Sequence, residues 1–467
     1  MSNKIKRAIV SLSDKSEIKL ILKTLKKYKV DVLSSGGTSK EIKKLGFKCT
    51  EVSEYTNTKE ILDGRVKTLH PMLYAGILSN RKNKKHKREL KKNNYQEIDL
   101  VIVNFYPFEE TLKSTKNHLK LIENIDIGGP TLVRAAAKNY NNTTVLTSPH
   151  QYKEFILDLE KNRGSTSLEF RKKLSQEAFN LTAYYDSVIS EYLSIENKNN
   201  FPQKKTIHGN LVEVLRYGEN PHQQSAIYSK NNSLDIFQLS GKKLSYNNYN
   251  DIYAALNISQ TLPKNTGTVI VKHANPCGVS VNKNKIESYK EALSCDPISA
   301  FGGIVSCNFK VNKKIALELS KIFLEVIIAL GFDKDSLKIL KKKKNLRLID
   351  ASKLKGDNLS NITSNFNSLL LQNVDNKIFS KDNFKVVSKI KPSKKIFNDL
   401  LFAFNVCRNV KSNAIVLTKN SSTIGIGSGQ PSRLDSCKIA IEKMKKFQKF
   451  NDEDIIIGAS DAFFPFV

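Results

Sequence analysis

Hydrophobic and polar positions follow two different spacings in the first part of the chain. Short apolar runs are typical of buried strands and occur at RAIVSL, VDVLSS, DLVIVNFYPF and TTVLTS. Stretches with apolar residues three and four positions apart lie between them and predict amphipathic helices at SEIKLILKTLKKY, TSKEIKKLG and TLVRAAAKN. Strands that alternate with helices predict a parallel sheet covered by helices on both faces.

A second α/β region follows a polar linker. The long helical stretch SLEFRKKLSQEAFNLTAYYDSVISEYL ends in IENKNNFPQKK, which indicates a boundary near residues 195–205. Beyond it we predict strands at TIHGNLVEVL and GGIVSCN, a helix over KIALELSKIFLEVIIAL, and two strands in SNAIVLTKNSSTIGIGSGQ. The pattern therefore predicts an α/β protein with domains over residues 1–198 and 199–467.

Composition limits the class of protein. A chain of 467 residues is too long for one ordinary core. Its apolar runs are shorter than the eighteen or so residues of a membrane helix, and its start lacks the apolar core of a signal peptide. Its 6 cysteines are scattered, which suits reduced thiols better than a disulfide framework. We expect a cytoplasmic protein that does not associate with membranes.

The net charge of +31 raises the possibility of nucleic-acid binding. The 76 basic residues, however, comprise 65 lysines and only 11 arginines, and proteins that read nucleic acids rely on arginine for bidentate contacts. Lys, Asn and Ile share A/T-rich codons, so base composition explains the excess. We expect no nucleic-acid partner, although a lysine-rich nucleic-acid-binding protein remains an alternative. The field still favours small anionic substrates.

Short polar loops in the first domain suit a phosphorylated substrate. SLSDK (residues 11–15) and SSGGT (residues 34–38) each place hydroxyls and N–H groups before a helix, although a simple turn with a helix cap is the commoner explanation. DGRVKTLHP combines a basic cluster with a hydroxyl. Asp126 and Lys138 could form an acid/base pair beside a bound phosphate ester.

The stretch VKHANPCGVS poses a choice between metal binding and proton transfer. Zinc deaminases combine H-x-E with P-C-x-x-C, whereas here Asn275 replaces the glutamate and Ser280 replaces the second cysteine. His273 and Cys277 alone are too few ligands for a tetrahedral site. We therefore expect no metal and interpret Lys272 and His273 as a proton-handling pair.

Taken in order, these motifs resemble a known family. SLSDK, SGGT, DGRVKTLHP, NFYPF, IDIGG and RAAAK resemble the N-terminal half of the bifunctional purine biosynthesis protein, and LRYGENPHQ, KHANPCG, DPISAFGG, EVIIA, KSNAIV, GSGQPSR and ASDAFFPF resemble its C-terminal half. The family joins phosphoribosylaminoimidazolecarboxamide (AICAR) formyltransferase to IMP cyclohydrolase. The resemblance implies formyl transfer from 10-formyltetrahydrofolate to AICAR, giving formyl-AICAR (FAICAR), and then closure of FAICAR to IMP with loss of water.

The resemblance also implies the fold and the assembly. It assigns the cyclohydrolase to residues 1–198, with a methylglyoxal-synthase-like domain at 1–148 and a helical connector, and the transformylase to 199–467 with two cytidine-deaminase-like subdomains. It implies a homodimer, no prosthetic group or metal, and 10-formyltetrahydrofolate as co-substrate.

Site residues follow from the same resemblance. The catalytic residues are expected to be Lys272 and His273 for formyl transfer, and Lys138, Lys67, Tyr106 and Asp126 for cyclisation. The nucleotide contacts of the cyclohydrolase are expected to be Ser13, Asp14, Lys15, Ser35, Gly36, Gly37, Thr38, Arg65, Val66, Thr68, Asn104, Phe105, Asp126 and Ile127. The substrate contacts of the transformylase are expected to be Arg216, Tyr217, Gly302, Glu325, Asn413, Arg433 and Phe463.

One departure from the family concerns the C-terminus. The resemblance implies several dozen further residues after FFPF, so we expect the C-terminal end of the family to be missing here. Under the main interpretation the protein is nevertheless bifunctional. The alternative is a truncated protein that retains only IMP cyclohydrolase activity.

Overall fold

The computed structural model describes residues 4–231, 233–354, 360–375, 377–451 and 453–464. The chain folds as two compact units, Met1–His208 and Gly209–Val467. The division falls after the boundary that the polar linker predicted. None of the helices that the structure describes combines the length and apolar composition needed to cross a membrane.

Unit 1 is built on a five-stranded sheet in the order β3-β2-β1-β4-β5. All its strand pairs are parallel, as the alternation of strands and helices predicted. The strands are β1 (Arg7–Ser11), β2 (Asp31–Ser34), β3 (Thr50–Glu51), β4 (Leu100–Val103) and β5 (Thr144–Leu146). The helices are α1 (Ile18–Lys27), α2 (Gly36–Lys44), α3 (Val52–Thr56), α4 (Pro71–Leu78), α5 (Lys84–Lys92), α6 (Phe108–Ser114), α7 (His118–Glu123), α8 (Gly128–Lys138), α9 (Tyr152–Lys161) and α10 (Leu168–Glu196).

The core of unit 1 explains why its strands are apolar at every position. In β4 all four residues are buried, because helices cover both faces of the sheet. The loops after β1, β2 and β4 emerge at the same edge, since neighbouring parallel strands end together. That edge is where ligands bind in open α/β sheets.

Unit 2 contains a nine-stranded mixed sheet in the order β18-β16-β17-β10-β9-β11-β12-β13-β8. Two further pairs, β6–β7 and β14–β15, form separate ribbons. The strands are β6 (Asn210–Leu215), β7 (Ser225–Ser229), β8 (Phe237–Ser240), β9 (Gly267–Lys272), β10 (Asn275–Val281), β11 (Ile304–Cys307), β12 (Val326–Ala329), β13 (Arg347–Asp350), β14 (Ser360–Asn365), β15 (Ser368–Asn373), β16 (Ile415–Lys419), β17 (Ser422–Gly427) and β18 (Ile457–Ser460). The helices are α11 (Tyr246–Thr261), α12 (Lys285–Cys295), α13 (Pro297–Ala300), α14 (Lys313–Leu319), α15 (Lys334–Leu340), α16 (Lys394–Cys407) and α17 (Arg433–Phe447).

One arrangement occurs twice in unit 2. The order helix, strand, strand, helix, strand is formed first by α11, β9, β10, α12 and β11 and then by α16, β16, β17, α17 and β18. In each copy a hairpin is followed by a strand antiparallel to its first member, as β11 is to β9 and β18 is to β16. The copies join where β10 pairs with β17. The two cytidine-deaminase-like subdomains remain a prediction, but the repeat is present in a single continuous sheet.

The predicted helix over KIALELSKIFLEVIIAL is partly wrong. The helix α14 ends at Leu319, and Val326–Ala329 form the fully buried strand β12 between β11 and β13. β-branched residues that are buried on both faces favour a strand, and their short apolar run cannot be distinguished from a buried helix by periodicity alone. Glu325 therefore precedes a strand and does not lie on a helix.

Candidate active sites

In unit 1, Asn104 holds the loop that follows β1. Its Oδ1 atom accepts hydrogen bonds from the backbone N–H groups of Ser13 (2.6 Å) and Asp14 (3.0 Å). Its amide nitrogen donates to the Asp14 carbonyl at 2.8 Å. The side chain of Asn104, a predicted nucleotide contact, therefore stabilises the Ser13–Lys15 loop, because both its oxygen and its nitrogen form hydrogen bonds with the loop backbone.

A second loop leads from β2 into helix α2. Thr38 exchanges hydrogen bonds with the backbone of Leu12 at 2.9 and 3.0 Å, which ties the start of α2 to the end of β1. The Ser35 hydroxyl is buried at 5% residue exposure and has no hydrogen-bond partner among the residues that the structure describes. A buried hydroxyl without a partner at the start of a helix is a suitable site for an anionic oxygen.

Lys67, Tyr106 and Asp126 come together beside these loops. The Lys67 Nζ atom lies 3.3 Å from the Tyr106 hydroxyl. Asp126 accepts hydrogen bonds from the N–H groups of Tyr106 (3.3 Å) and Gly129 (2.8 Å). Burial raises the pKa of Asp126, and these bonds and the Lys67 charge partly offset that effect. The cluster therefore combines an acid, a cation and a phenol.

The remaining predicted contacts of unit 1 surround this cluster. Thr68 is buried, and its Oγ1 atom lies so close to Gly128 that a Cβ there would be 2.7 Å away. Arg65 is exposed and forms a salt bridge with Glu123. Sequence reasoning missed Tyr185, whose ring packs edge-on against Phe105 at 5.1 Å and whose hydroxyl accepts a hydrogen bond from the Asp126 N–H at 2.9 Å. It lies on α10, far along the chain, and no local motif indicated it.

Lys138 is separated from the cluster within one chain. It is the last residue of the 11-residue helix α8, whose first residue, Gly128, is next to the cluster. A helix rises about 1.5 Å per residue, so the two ends of α8 are about 15 Å apart. The backbone of Lys138 therefore does not lie beside Asp126 within one chain, and their acid/base pairing stays a prediction.

In unit 2, predicted site residues line one edge of the sheet. Lys272 ends β9, Gly302 precedes β11 and Glu325 precedes β12, and the pairing of Ile304 with both Val271 and Val326 brings these ends together. The Lys272 ammonium donates to the Phe301 carbonyl at 2.8 Å.

Arg347 belongs to the same edge, although sequence reasoning missed it. It starts β13 and pairs with Glu325 at 2.5 Å. The signal that could have found it is the scarcity of arginine in so lysine-rich a chain. Where lysine supplies most surface charge, an arginine indicates a position that favours bidentate binding of a carboxylate.

Asn413 and Arg433 form a polar group in the second copy of the repeat. The Arg433 guanidinium donates to Asn413 Oδ1 at 2.9 Å and to Ser460 Oγ at 2.9 Å, and it pairs with Asp461. The Asn413 amide nitrogen in turn donates to the carbonyls of Gln430 (2.9 Å) and Pro431 (2.8 Å).

A hydrogen bond to Asn275 connects the segment before Asn413 to the turn that carries His273. The Asn275 Oδ1 atom accepts a hydrogen bond from the Lys411 N–H at 3.3 Å. Because Asn275 starts β10 directly after the turn of His273 and Ala274, the segment before Asn413 lies beside that turn. His273 itself is exposed, so its ring is accessible to a substrate.

The other predicted residues of unit 2 lie in the loop after β6 and near the end of the described chain. Arg216 stacks over the Tyr217 ring at 5.7 Å in the loop after β6, and that loop contacts α11 where Asn247 donates to the Glu219 carbonyl at 3.2 Å. Phe463 is 82% exposed. The last two letters of the motif ASDAFFPF lie outside the described residues.

Cys277 is part of the packed interior. It lies in one core cluster with Tyr289, Ala292 and Ala300, and its residue exposure is 8%. Burial raises the pKa of its thiol to about 12, so the neutral thiol is the stable form at neutral pH. This environment suits a packing residue.

Comparisons with known proteins identify the family. Residues 17–131 match the model of the MGS-like domain, and residues 136–443 match the AICARFT/IMPCHase bienzyme model. The bifunctional purine biosynthesis protein PurH of Persephonella marina is 42% identical over 99% of this chain and 90% of its own length. PurH of Acetivibrio thermocellus is 42% identical over 99% of the chain, and that of Prochlorococcus marinus is 43% identical over 98%.

The chain belongs to the PurH family. It is a bifunctional enzyme of purine biosynthesis with AICAR formyltransferase and IMP cyclohydrolase activities. Its fold is an MGS-like N-terminal domain followed by the AICARFT/IMPCHase region, in a mixed α/β architecture. The alignments cover 99% of this chain and 90% of the Persephonella marina protein, and they do not show that the C-terminal end of the family is missing here. They also favour the bifunctional interpretation over a cyclohydrolase alone.

Proposed function

We propose that the two activities use separate sites, with formyl transfer in unit 2 and cyclisation in unit 1. The observation that carries this proposal is the convergence of chemically complementary residues at one sheet edge in each unit. Lys272, His273, Gly302 and Glu325 share the edge in unit 2. Lys67, Tyr106 and Asp126 cluster beside the phosphate-type loops in unit 1.

For formyl transfer we take 10-formyltetrahydrofolate as the donor. The 5-amino nitrogen of AICAR attacks the formyl carbon, and His273 accepts the proton that this nitrogen loses. The bond from the formyl carbon to N10 of the folate then breaks, and N10 takes up a proton, which releases tetrahydrofolate. The Lys272 ammonium, held by the Phe301 carbonyl, stabilises the negative charge on the formyl oxygen during the attack.

For cyclisation the substrate is FAICAR. Its carboxamide nitrogen attacks the formyl carbon while one of its protons passes to the formyl oxygen. That oxygen then leaves as water together with the proton of the formamide nitrogen, which completes the ring of IMP. Lys67 and Tyr106 stabilise charge at the oxygen that leaves, while Asp126 orients the carboxamide through its carboxylate. The unpartnered Ser35 hydroxyl supports a phosphate site at the start of α2, with Ser13–Lys15 and Thr38 beside it.

We further propose a homodimer in which Lys138 acts in the neighbouring copy. The backbone of Lys138 lies about 15 Å along α8 from that of Gly128, which is next to the cluster of its own chain. A second copy could bring this lysine to the reacting groups.

Single-site variants test the separation of the two activities. His273→Ala is expected to abolish formyl transfer and to leave cyclisation of supplied FAICAR intact, and Lys67→Ala is expected to do the reverse. Loss of both activities in either folded variant would contradict the two-site proposal.

Mixed dimers test the position of Lys138. Lys138→Ala and Lys67→Ala chains, each inactive in cyclisation alone, are refolded together in equal amounts. If Lys138 acts in the neighbouring copy, half of the dimers are mixed and each mixed dimer has one complete site, so about a quarter of the activity returns. If the mixture is as inactive as either variant alone, the proposal that Lys138 acts in the neighbouring copy is wrong.

A further inference from the structure

The turn that carries His273 has an unfavourable backbone. His273 and Ala274 join β9 to β10 and both lie in the left-handed region, with φ of 51° and 56°. Two left-handed residues form the type I′ turn that suits a two-residue hairpin, but Asn, Asp and Gly are the residues that favour it. A left-handed alanine costs about 1–2 kcal/mol, so neighbouring contacts must hold this turn.

Asp251 of α11 provides such a contact. Its Oδ1 atom accepts a hydrogen bond from the Ala274 N–H at 2.6 Å. The carboxylate is half-buried, and burial raises its pKa, while the N–H groups of Ala274 and His273 and the His273 imidazole partly offset that effect. Asp251 therefore contacts the backbone of the turn, while His273 remains exposed.

The second copy of the repeat contains a counterpart. Asp399 lies five residues after the start of α16 (394 to 399), just as Asp251 lies five residues after the start of α11 (246 to 251). Asp399 Oδ1 accepts a hydrogen bond from the Ser421 hydroxyl at 2.8 Å, in the turn between β16 and β17. An acid under the hairpin turn is thus common to both copies, whereas a histidine in the turn occurs only in the first.

We propose that Asp251 is a positioning residue for formyl transfer, because it fixes the His273–Ala274 turn and so aims the His273 imidazole at the amine of AICAR. The inference rests on the proposed role of His273 as the base. A base must lie within hydrogen-bond reach of the proton it removes, and misplacement by about 1 Å can lower a rate about 100-fold. By fixing the backbone on either side of the imidazole, Asp251 limits that misplacement.

The test compares four variants of the full chain: Asp251→Ala, Asp251→Asn, Asp399→Ala and His273→Ala. Formyl transfer is measured as separate kcat and KM values, with FAICAR cyclisation and thermal unfolding measured on the same samples. Asp251→Ala is expected to lower kcat for formyl transfer about 10- to 100-fold with little change in KM. Asp251→Asn keeps an acceptor oxygen for the Ala274 N–H and is expected to recover most of that loss.

Asp399→Ala is the matched control, since it removes an acid at the equivalent helix position that contacts a turn without a proposed catalytic residue. It is expected to keep formyl transfer within about twofold of the wild type at a similar loss of melting temperature. If Asp251→Ala unfolds, Asp251→Glu keeps the carboxylate but displaces it, and the same loss of kcat is expected.

The outcomes separate the two proposals. Equal loss of kcat in Asp251→Ala and Asp399→Ala, or a change confined to KM, would overturn the positioning role. No recovery in a folded Asp251→Asn variant would overturn it as well. If His273→Ala retains formyl transfer, the proposed function itself fails, whatever the Asp251 variants do.

Discussion

The two hairpins of unit 2 have the same construction but different turn chemistry. Each ends its first strand with a lysine, turns through two left-handed residues and is contacted by an acid from the preceding helix. In β16–β17 the turn residues are Asn420 and Ser421, and asparagine tolerates this conformation well. In β9–β10 they are His273 and Ala274; histidine is also enriched among left-handed residues, whereas alanine is not. Ala274, which has no polar side chain to hydrogen-bond within the turn, lies where we propose catalysis, as expected when backbone strain is retained for function.

The lysines that end the first strands of the two hairpins also differ, in the partners that they contact. Lys419 pairs with Asp454 at 2.6 Å, an ordinary ion pair. Lys272 donates to the neutral carbonyl of Phe301 at 2.8 Å, which orients the ammonium without cancelling its charge. The same scaffold therefore carries an ion pair in the second hairpin and, in the first, the residues that we propose to be reactive.

The largest expected effect comes from exchanging the turn residues. His273→Asn supplies a residue suited to the left-handed conformation but removes the proposed base, so formyl transfer is expected to fall about 10²- to 10⁴-fold while the fold is retained. The reciprocal change Asn420→His is expected to leave formyl transfer unchanged. Steady-state kinetics of both variants check this, and a comparable loss from Asn420→His would show that the hairpins do not differ in function.

The second-largest effect is expected from replacing the lysine that ends the first strand of each hairpin. Lys272→Met removes the cation proposed to stabilise the formyl oxygen and is expected to lower kcat for formyl transfer about 100-fold. Lys419→Met breaks only an ion pair and is expected to change stability by about 1 kcal/mol or less. The pair is checked by kcat and by urea unfolding. Near-normal kcat in Lys272→Met would remove the lysine from the mechanism.

Sequence predicted the strands and loops of unit 1 well, because buried parallel strands are apolar throughout and their polar loops follow directly. It failed at Val326–Ala329, where a buried strand and a buried helix have the same composition. It could not find Asp251 or Tyr185, since each acts across the fold from a helix whose local pattern is ordinary. The predicted helix TLVRAAAKN already had Lys138 near its end, but only the structure shows that the helix begins at Gly128, beside the cluster.

A smaller effect is expected from relieving the turn itself. Ala274→Gly places the residue that best tolerates φ of 56° and is expected to raise the free energy of unfolding by about 1 kcal/mol. Ser421→Gly relieves a similar φ but removes the hydroxyl that donates to Asp399, so little or no gain is expected. Urea unfolding of both variants tests this. A gain from Ser421→Gly that equals the gain from Ala274→Gly would show that the two turns are equally strained.

The smallest expected effect is a pH dependence of stability from Asp251. Burial raises the pKa of this carboxyl above its ordinary value of 3.8, so the folded protein binds the proton more tightly than the unfolded chain. Stability therefore decreases as pH rises from 3.8 through the raised value, and it is constant above that range because both states are then ionised. Asp251→Asn removes this titration.

The stability of the wild type relative to Asp251→Asn is accordingly expected to decrease as the pH rises above 3.8, in the range below that in which histidines titrate. Urea unfolding at several pH values in this range gives the difference. A relative stability that increases with pH would mean that the hydrogen bonds from the turn outweigh burial and lower the pKa of Asp251. The same series with Asp399→Asn shows whether the two caps differ, since one accepts a backbone N–H and the other a hydroxyl.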